Sequence, residues 1–176
     1  MRGLCYTRLK MIEPSIALYG EAFNRVSALL DDLLQKAHVR YAMLVDRKGF
    51  VLAHREALWA AKPPALDSIA TLIAGNAAAT SALAKLLGER RFNELVHQGE
   101  RIGLYVEEVA NEALLVVIFD DTAPIGRVKL YAKKSIEEIE TLLEALGPLE
   151  MPDFNLGADF ASSAGALLDD LFKVSP

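Results

Sequence analysis

The sequence predicts a three-layer α/β domain in which helices cover a five-stranded, mainly antiparallel sheet. Stretches with apolar residues at helical spacing occur near the start, in the middle and in the last third of the chain. Shorter apolar or alternating stretches lie between them, and glycine or proline separates most of these segments. The predicted order is α-β-β-α-β-β-β-α, with the first and last helices on one face of the sheet and the second helix on the other.

The first half of the chain supplies two helices and a hairpin. Residues 21–39 place leucine, valine and phenylalanine at helical spacing and predict the first helix. Two apolar strands follow, separated by the residues 46–49, whose glycine can adopt the positive φ of a tight hairpin turn. After the loop ALWAAKPP, Asp67 or Ser68 is a suitable N-cap for the second helix, and Gly88 is a suitable terminator.

Three strands and a helix complete the predicted domain. Residues 92–99 and 102–109 alternate, whereas 113–120 is nearly all apolar, as expected of a central strand covered on both faces. Thr122 with Pro124 then opens a long last helix that stops at the Gly147-Pro148 pair.

Composition divides the chain into four parts. Residues 1–15 form an N-terminal extension in which Met11 is an alternative start, and residues 16–147 form the folded domain. Residues 148–165 mix proline, glycine, serine and acids without a period, which is typical of a flexible linker. Residues 166–176 form a short amphipathic C-terminal segment.

Charge and motif content exclude several classes of function. The 176-residue chain has a net charge of -5, which does not favour nucleic acid or an anionic membrane as a partner. Its single cysteine, Cys5, cannot form an internal disulfide, which fits the cytoplasm. We expect no metal, because the histidines are not at ligand spacing, and no nucleotide or other cofactor, because no P-loop is present. The histidines are His38, His54 and His97.

The second helix has an unusual composition, because residues 68–84 contain no charged side chain. On a helical wheel we place the large apolar residues on the side that packs on the sheet, together with Asn76 as a buried, hydrogen-bonded amide. These residues are Leu66, Ile69, Leu72, Ile73, Leu83 and Leu87. The opposite side then carries the alanine stripe, defined as Ala70, Ala74, Ala78 and Ala82, flanked by Gly75, Ala79 and Ser81.

An uncharged outer side predicts a partner. A helix facing water normally carries charged residues there, and small side chains let another backbone approach closely. A membrane span would need about 20 strongly apolar residues, and five hydroxyl or amide side chains in this helix argue against one. We therefore expect another polypeptide to cover the alanine stripe. The alternative is an alanine-rich helix buried within its own domain.

The element order and the uncharged second helix resemble the roadblock/dynein light chain family, and within it the bacterial gliding-motility members. The resemblance extends over about residues 40–130. It is carried by RYAMLVDRKGFVLAHREALWA, LDSIATLIAGNAAATSALAKLLGE, HQGERIGLYV and ALLVVIFDDTAPIGRVKL. No single short motif is diagnostic, so the family assignment depends on the joint match.

The resemblance implies a regulator and not an enzyme. Such proteins form homodimers in which the second helices pair and the sheets join edge to edge. The dimer binds an MglA-like small GTPase and accelerates GTP hydrolysis in cell polarity and gliding motility, with enrichment at a cell pole as a further expectation. Carried onto this chain, the contact includes Ala74, Ala78, Ala79 and Ala82. A scaffold that tethers a GTPase without activating it is the first alternative, and a small-molecule sensor domain is the second.

The resemblance also implies that activation needs no arginine finger, because such activators move the GTPase's own catalytic loops. The arginines on predicted loops or edges are accordingly expected to be solvated surface residues. They are Arg47, Arg90, Arg91 and Arg101.

Three further features have two interpretations each. Trp59 is either an interface hot spot or a loop anchor packed on its own core. Asp120 and Asp121 either hold a cation or cap the last helix. The tail residues form either a secondary contact with the GTPase or a frayed terminus. These tail residues are Leu167, Leu168, Leu171 and Phe172.

Overall fold

The computed structural model describes residues 18–61, 65–92 and 94–146. The described chain forms three helices and a five-stranded antiparallel sheet, which confirms the predicted fold class and element order. The expected N-terminal extension, the linker and the tail contacts at Leu167, Leu168, Leu171 and Phe172 lie outside these residues. The elements are α1 (Gly20–Ala37), β1 (Tyr41–Asp46), β2 (Val51–Glu56), α2 (Leu66–Leu86), β3 (Glu94–Gln98), β4 (Ile102–Val109), β5 (Ala113–Asp120) and α3 (Ile125–Leu146).

The strands lie in the order β2-β1-β5-β4-β3, and every neighbouring pair is antiparallel. All residues of β5 and of its neighbour β1 are buried, as expected for strands covered on both faces. The sheet therefore has β2 and β3 at its two edges.

Helices cover the two faces of the sheet unequally. On one face, α1 and α3 pack together over Ala42, Leu44, Leu115 and Val117 and enclose the larger hydrophobic core. On the other face, α2 packs over a smaller core that includes Met43 and Val116. Since successive side chains of a strand point to opposite faces, the nearly all-apolar β5 supplies both cores.

Several predicted boundaries differ from the structure, among them the end of α1, which stops at Ala37 instead of residue 39. α2 begins at Leu66 with Ala65 as its N-cap and no side-chain cap, so the predicted caps Asp67 and Ser68 lie inside the first turn. β3 is shorter than predicted, and α3 begins only at Ile125, after a turn that Asp120 organises. Sequence patterns locate the ends of elements less well than their centres, and a contact such as that of the Thr122 amide with Asp120 is seen only in the folded chain.

Candidate functional site

The helix α2 lies on the β1–β2 hairpin through a close backbone contact. A Cβ atom at Gly49 would stand 2.9 Å from Thr71 Cα, and the φ of Gly49 is +92°. Only glycine combines this backbone conformation with this close approach. The predicted glycine turn is therefore confirmed, and it also seats the helix on the sheet.

The inward side of α2 differs from the predicted one. Ala70 is fully buried and Ala74 is 7% exposed, together with Ile73 and Ala84. Placing Ala70 and Ala74 on the outer side was wrong. Residues four apart on a helix advance by about 40° around the axis, so the alanine stripe starts against the sheet and reaches the outside only by Ala78 and Ala82.

The outer side of α2 is apolar as well as small. Gly75, Ala78, Ala79 and Ala82 are exposed as predicted, and Ser81 is half-buried. Leu72, Leu83 and Leu87, predicted to pack inward, are exposed by 74%, 50% and 65%. We define the α2 outer face as the solvent-exposed small residues and the two leucines beside them: Leu72, Gly75, Ala78, Ala79, Ala82 and Leu83.

No described element of the chain covers the α2 outer face, since α1 and α3 pack on the opposite side of the sheet. Among the described residues, Leu66–Leu86 is the one helix long and apolar enough to cross a membrane, with a mean hydropathy of 1.3. Burial of Ala70 and Ile73 against the sheet is the arrangement of a helix packed on a protein domain. The exposed leucines therefore form a surface suited to another polypeptide.

Asn76 lies at the margin of this face and is half-buried, so it is less enclosed than predicted. Its Nδ2 lies 3.0 Å from Nε2 of His97 on β3, and Thr80 Oγ1 donates to its Oδ1 at 3.4 Å. The amide is thus hydrogen-bonded, as expected. The pair also links α2 to the edge strand β3.

Trp59 lies in the loop after β2, where its ring contacts neighbouring side chains but remains partly exposed. Its ring stacks on His38 with centroids 4.9 Å apart, and the Arg40 guanidinium lies 5.7 Å from the ring centroid. Tyr41 donates a hydrogen bond to the carbonyl of Ala61 in the same loop. The side chain is nevertheless 47% exposed. These contacts make Trp59 a loop anchor, and its role in partner binding stays a prediction.

Three of the four arginine candidates line a cleft of about 170 Å³ between α2, β3 and β4, namely Arg47, Arg90 and Arg91. Arg47 pairs with Glu108 at 3.0 Å and donates to the Asn111 carbonyl at 2.8 Å. Arg91 reaches the same carboxylate at 3.6 Å and Asn111 Oδ1 at 3.0 Å. Two of the four arginines are therefore held by the protein itself, a pairing that the sequence analysis missed.

Arg90 also lines the cleft, whereas Arg101 lies in the β3–β4 turn region. Within the described part of the chain, neither side chain is seen in a hydrogen bond or ion pair. Both are exposed. They are the arginines that could extend toward a bound partner.

Asp120 organises the turn before α3, which is the role of a local cap. Its carboxylate accepts hydrogen bonds from the Thr122 amide at 2.9 Å and the Thr122 hydroxyl at 2.5 Å, and from Arg40 Nε at 2.6 Å. The Thr122 hydroxyl and then Arg40 lower the pKa of Asp120 against the opposing effect of burial. No group of three potential ligand side chains is close enough to bind a metal among the described residues.

A buried phenol connects the edge strand β3 to the core. The Tyr105 hydroxyl donates to Glu107 and lies 3.5 Å from Glu94, which in turn pairs with Lys129 on α3. Burial, and then the neighbouring carboxylates, raise the pKa of Tyr105. The phenol therefore stays protonated, and the network attaches the end of β3 to α3.

Comparison with known proteins identifies the fold and the family. The Roadblock/LC7 domain profile matches residues 25–119. The chain is 60% identical to the gliding protein MglB from Thermus thermophilus over 76% of this chain and 99% of that chain, with a TM-score of 0.74. Identity to Myxococcus xanthus MglB is 34% over 70% of this chain and 98% of that chain, with a TM-score of 0.65.

More distant and curated proteins add little to this result. A Roadblock/LC7 domain from Streptomyces avermitilis shares the fold at 18% identity and a TM-score of 0.60, over 67% of this chain and 97% of that chain. No curated protein matches the sequence. On the domain match and the two MglB structures, this chain belongs to the Roadblock/LC7 family.

Proposed function

We propose that the chain is a homodimeric, cytoplasmic activator of an MglA-like small GTPase in gliding motility and cell polarity. The observation that carries this proposal is the α2 outer face, which is apolar, uncharged and exposed although it belongs to a folded domain. The likeness to the gliding protein MglB of Thermus thermophilus and to Myxococcus xanthus MglB supports the choice of partner. The protein is then a regulator, and the chemistry belongs to the GTPase.

The proposed mechanism is loop remodelling. A helix face built from glycine, alanine and leucine can pack against a GTPase but cannot deliver a charge to a phosphate. If the dimer binds the hydrolysis-competent loop arrangement more tightly than the other arrangement, it shifts the population toward catalysis. The ion pairs of Arg47 and Arg91 with Glu108 engage two of the four candidate arginines in the free chain, which agrees with this mechanism and leaves Arg90 and Arg101 to be tested.

A roadblock scaffold that tethers the GTPase without activating it is the competing function. The two proposals differ in one measurable quantity, the rate of phosphate release from a GTP-loaded MglA-like GTPase. Activation predicts that this rate rises with the concentration of the roadblock protein added to the GTPase and then saturates. A scaffold gives saturable binding, measured separately by polarisation of a labelled GTPase, with an unchanged rate.

Substitution of the α2 outer face tests the site. Ala78→Arg and Ala82→Arg each place a long cation where close approach is required, so complex formation would bury an unpaired charge. We expect GTPase binding to fall by more than about tenfold, equivalent to 1.4 kcal/mol, while circular dichroism shows a folded domain. Asn24→Arg, at an exposed position on α1, is the matched control and should bind normally.

The oligomeric state of the same variants separates the two uses of the face. If Ala78→Arg yields a folded monomer by light scattering, the face serves self-association, and the GTPase contact must lie elsewhere or depend on the dimer. If the variant stays dimeric and still binds the GTPase with native affinity, the proposed site is wrong.

A further inference from the structure

A groove with a partly apolar lining lies on the opposite side of the molecule from the α2 outer face. The first half of α1 and the last turns of α3 border a groove of about 760 Å³. Its apolar lining consists of Ala22, Ala28, Leu29, Leu142 and Ala145. Since α1 and α3 cover the other face of the sheet, this groove takes no part in the proposed GTPase contact.

The shape of the groove fits a third helix. Its lining on α3 follows the spacing i, i+3, i+4 and i+7 from Glu138 to Ala145, so one continuous stripe of that helix forms a wall. The α1 side contributes two small residues, Ala22 and Ala28, together with Leu29. Of the three charged lining residues, Glu21 and Arg25 pair with each other at 2.8 Å, and Glu138 stands on the α3 wall.

The chain itself contains a segment of matching character. The segment ALLDDLFKV, residues 166–174, places Leu167, Leu168, Leu171 and Phe172 on one side of a helix and its three charged residues on the other. An anchor set at this spacing is the kind that lays an amphipathic helix into an apolar groove.

Because residues 166–174 are covalently connected to the end of α3, they are favoured over a separate protein as the occupant of the groove. Ala145 lines the groove at the end of α3, one residue before the last described position. Residues 147–165 lie between that point and the segment in the sequence, and a flexible chain of this length has a root-mean-square span of about 25 Å. A tether of this length gives an effective concentration on the order of millimolar, which an external partner rarely reaches.

We infer that residues 166–174 dock as a helix in the α1–α3 groove of their own chain. Docking covers the half-buried leucines and the alanines of the groove and withdraws the tail from any other contact. It is independent of the proposed function, because it requires neither the GTPase nor the α2 outer face.

Thiol reactivity in the full-length chain tests the inference. In a Cys5→Ser background, Ala28→Cys puts a single thiol in the groove, and its reaction rate with Ellman's reagent is measured without GTPase. Docking predicts that the double substitution Leu168→Glu with Phe172→Glu speeds the reaction by about tenfold, as expected for a mostly occupied groove.

Two controls sharpen the result. Lys173→Glu changes the net charge by the same amount away from the anchors and should leave the thiol protected. Glu100→Cys, at an exposed position away from the groove, should react at the same rate whether the tail is native or anchor-substituted. Equal rates at Ala28→Cys for native and anchor-substituted tails would overturn the inference.

The same background distinguishes the chain that supplies the tail. A short bis-maleimide should link Ala28→Cys to Asp170→Cys within one chain, giving a product of single-chain mass that peptide mapping identifies. A product of doubled mass as the main species would place the tail on a second copy and refute docking within the chain.

Discussion

Asp120 shows how one carboxylate can connect three elements. It closes β5, organises the turn before α3 through Thr122, and holds Arg40 at 2.6 Å, where the guanidinium also lies over Trp59. The sequence marked this acid only as a cation ligand or a helix cap. Its contact with Arg40 could not be read from the sequence, because the pair is 80 residues apart and depends on the pairing of β1 with β5.

We predict that Asp120→Asn lowers the free energy of unfolding at pH 7 by about 2 kcal/mol, since a buried charge-assisted interaction is lost. The pKa of Asp120 is lower in the folded state than in the unfolded state. Its contribution is therefore complete above the unfolded value near 3.8 and is lost as the pH falls through the lower folded value.

Urea denaturation at pH 7 and at pH 2.5 checks both parts of this prediction. The stability difference between wild type and variant should be largest at pH 7 and should shrink at pH 2.5. Asp121→Asn, at the exposed neighbouring acid, is the control and should match wild type at both values. A difference that does not depend on pH would contradict the assigned role.

At the scale of elements, the sequence predicts the buried side of a helix or strand well where one side is apolar and the other is polar. The predicted spans of β4 and β5 agree with the structure, as does the hairpin turn at Gly49. For α2 the helix itself was predicted correctly, but the side that packs on the sheet was assigned to the wrong residues. An apolar residue identifies the buried side of a helix only when the other side is polar, and α2 has leucine on both, at Leu66 and Leu72.

The seating of α2 on the hairpin gives a prediction with an internal control. Gly49 and Gly88 both have positive φ, but an added Cβ meets the Thr71 backbone at Gly49 and nothing within 4 Å at Gly88. We expect Gly49→Ala to cost about 1–3 kcal/mol more than Gly88→Ala in the free energy of unfolding, the typical cost of overpacking. If chemical denaturation shows the same loss in the free energy of unfolding for both variants, α2 can shift away from the hairpin at no measurable cost, and the close contact does not matter.

Substitution of Gly75 should affect the stability of α2 and its binding to a partner in opposite directions. A Cβ at Gly75 meets nothing within 4 Å in the single chain, and alanine favours a helix interior by up to about 1 kcal/mol over glycine. We predict that Gly75→Ala raises the melting temperature measured in dilute protein. The same methyl group should weaken partner binding, because it stands where a second backbone is expected to approach.

Binding measured for Gly75→Ala beside wild type completes this test. A variant that gains thermal stability and also binds the GTPase and its own second copy more tightly would show that the outer face of α2 is not closely packed in the complex.

At the scale of the whole molecule, the uneven coverage of the sheet explains why one surface is available. Two helices share one face, whereas α2 alone serves the other and leaves apolar residues exposed. The sequence predicted that something must cover this face, because charge is missing between Asp67 and Lys85. It could not show the α1–α3 groove, because such a groove depends on how two helices distant in sequence lie together.

Arginine substitutions test the proposed mechanism of the assembled complex. We expect Arg90→Ala and Arg101→Ala, which remove the exposed candidates outside the Glu108 pairs, to change single-turnover GTP hydrolysis by less than about tenfold. Loss of an arginine finger typically costs 10³ to 10⁵ in rate. One variant that binds normally but fails to activate would replace loop remodelling with direct charge delivery.

The edge strand β3 has a consequence for how the protein behaves when concentrated. A strand that pairs on one side only offers free backbone groups to any other chain and so invites aggregation. Here the edge is five residues long, carries Glu94, His97 and Gln98 beside Leu95 and the exposed Val96, and is attached to α3 through Lys129. A short edge that carries charge and is fixed to a helix limits open-ended addition of strands. This border can therefore pair with one second copy, as the expected edge-to-edge dimer requires, without growing into a fibril.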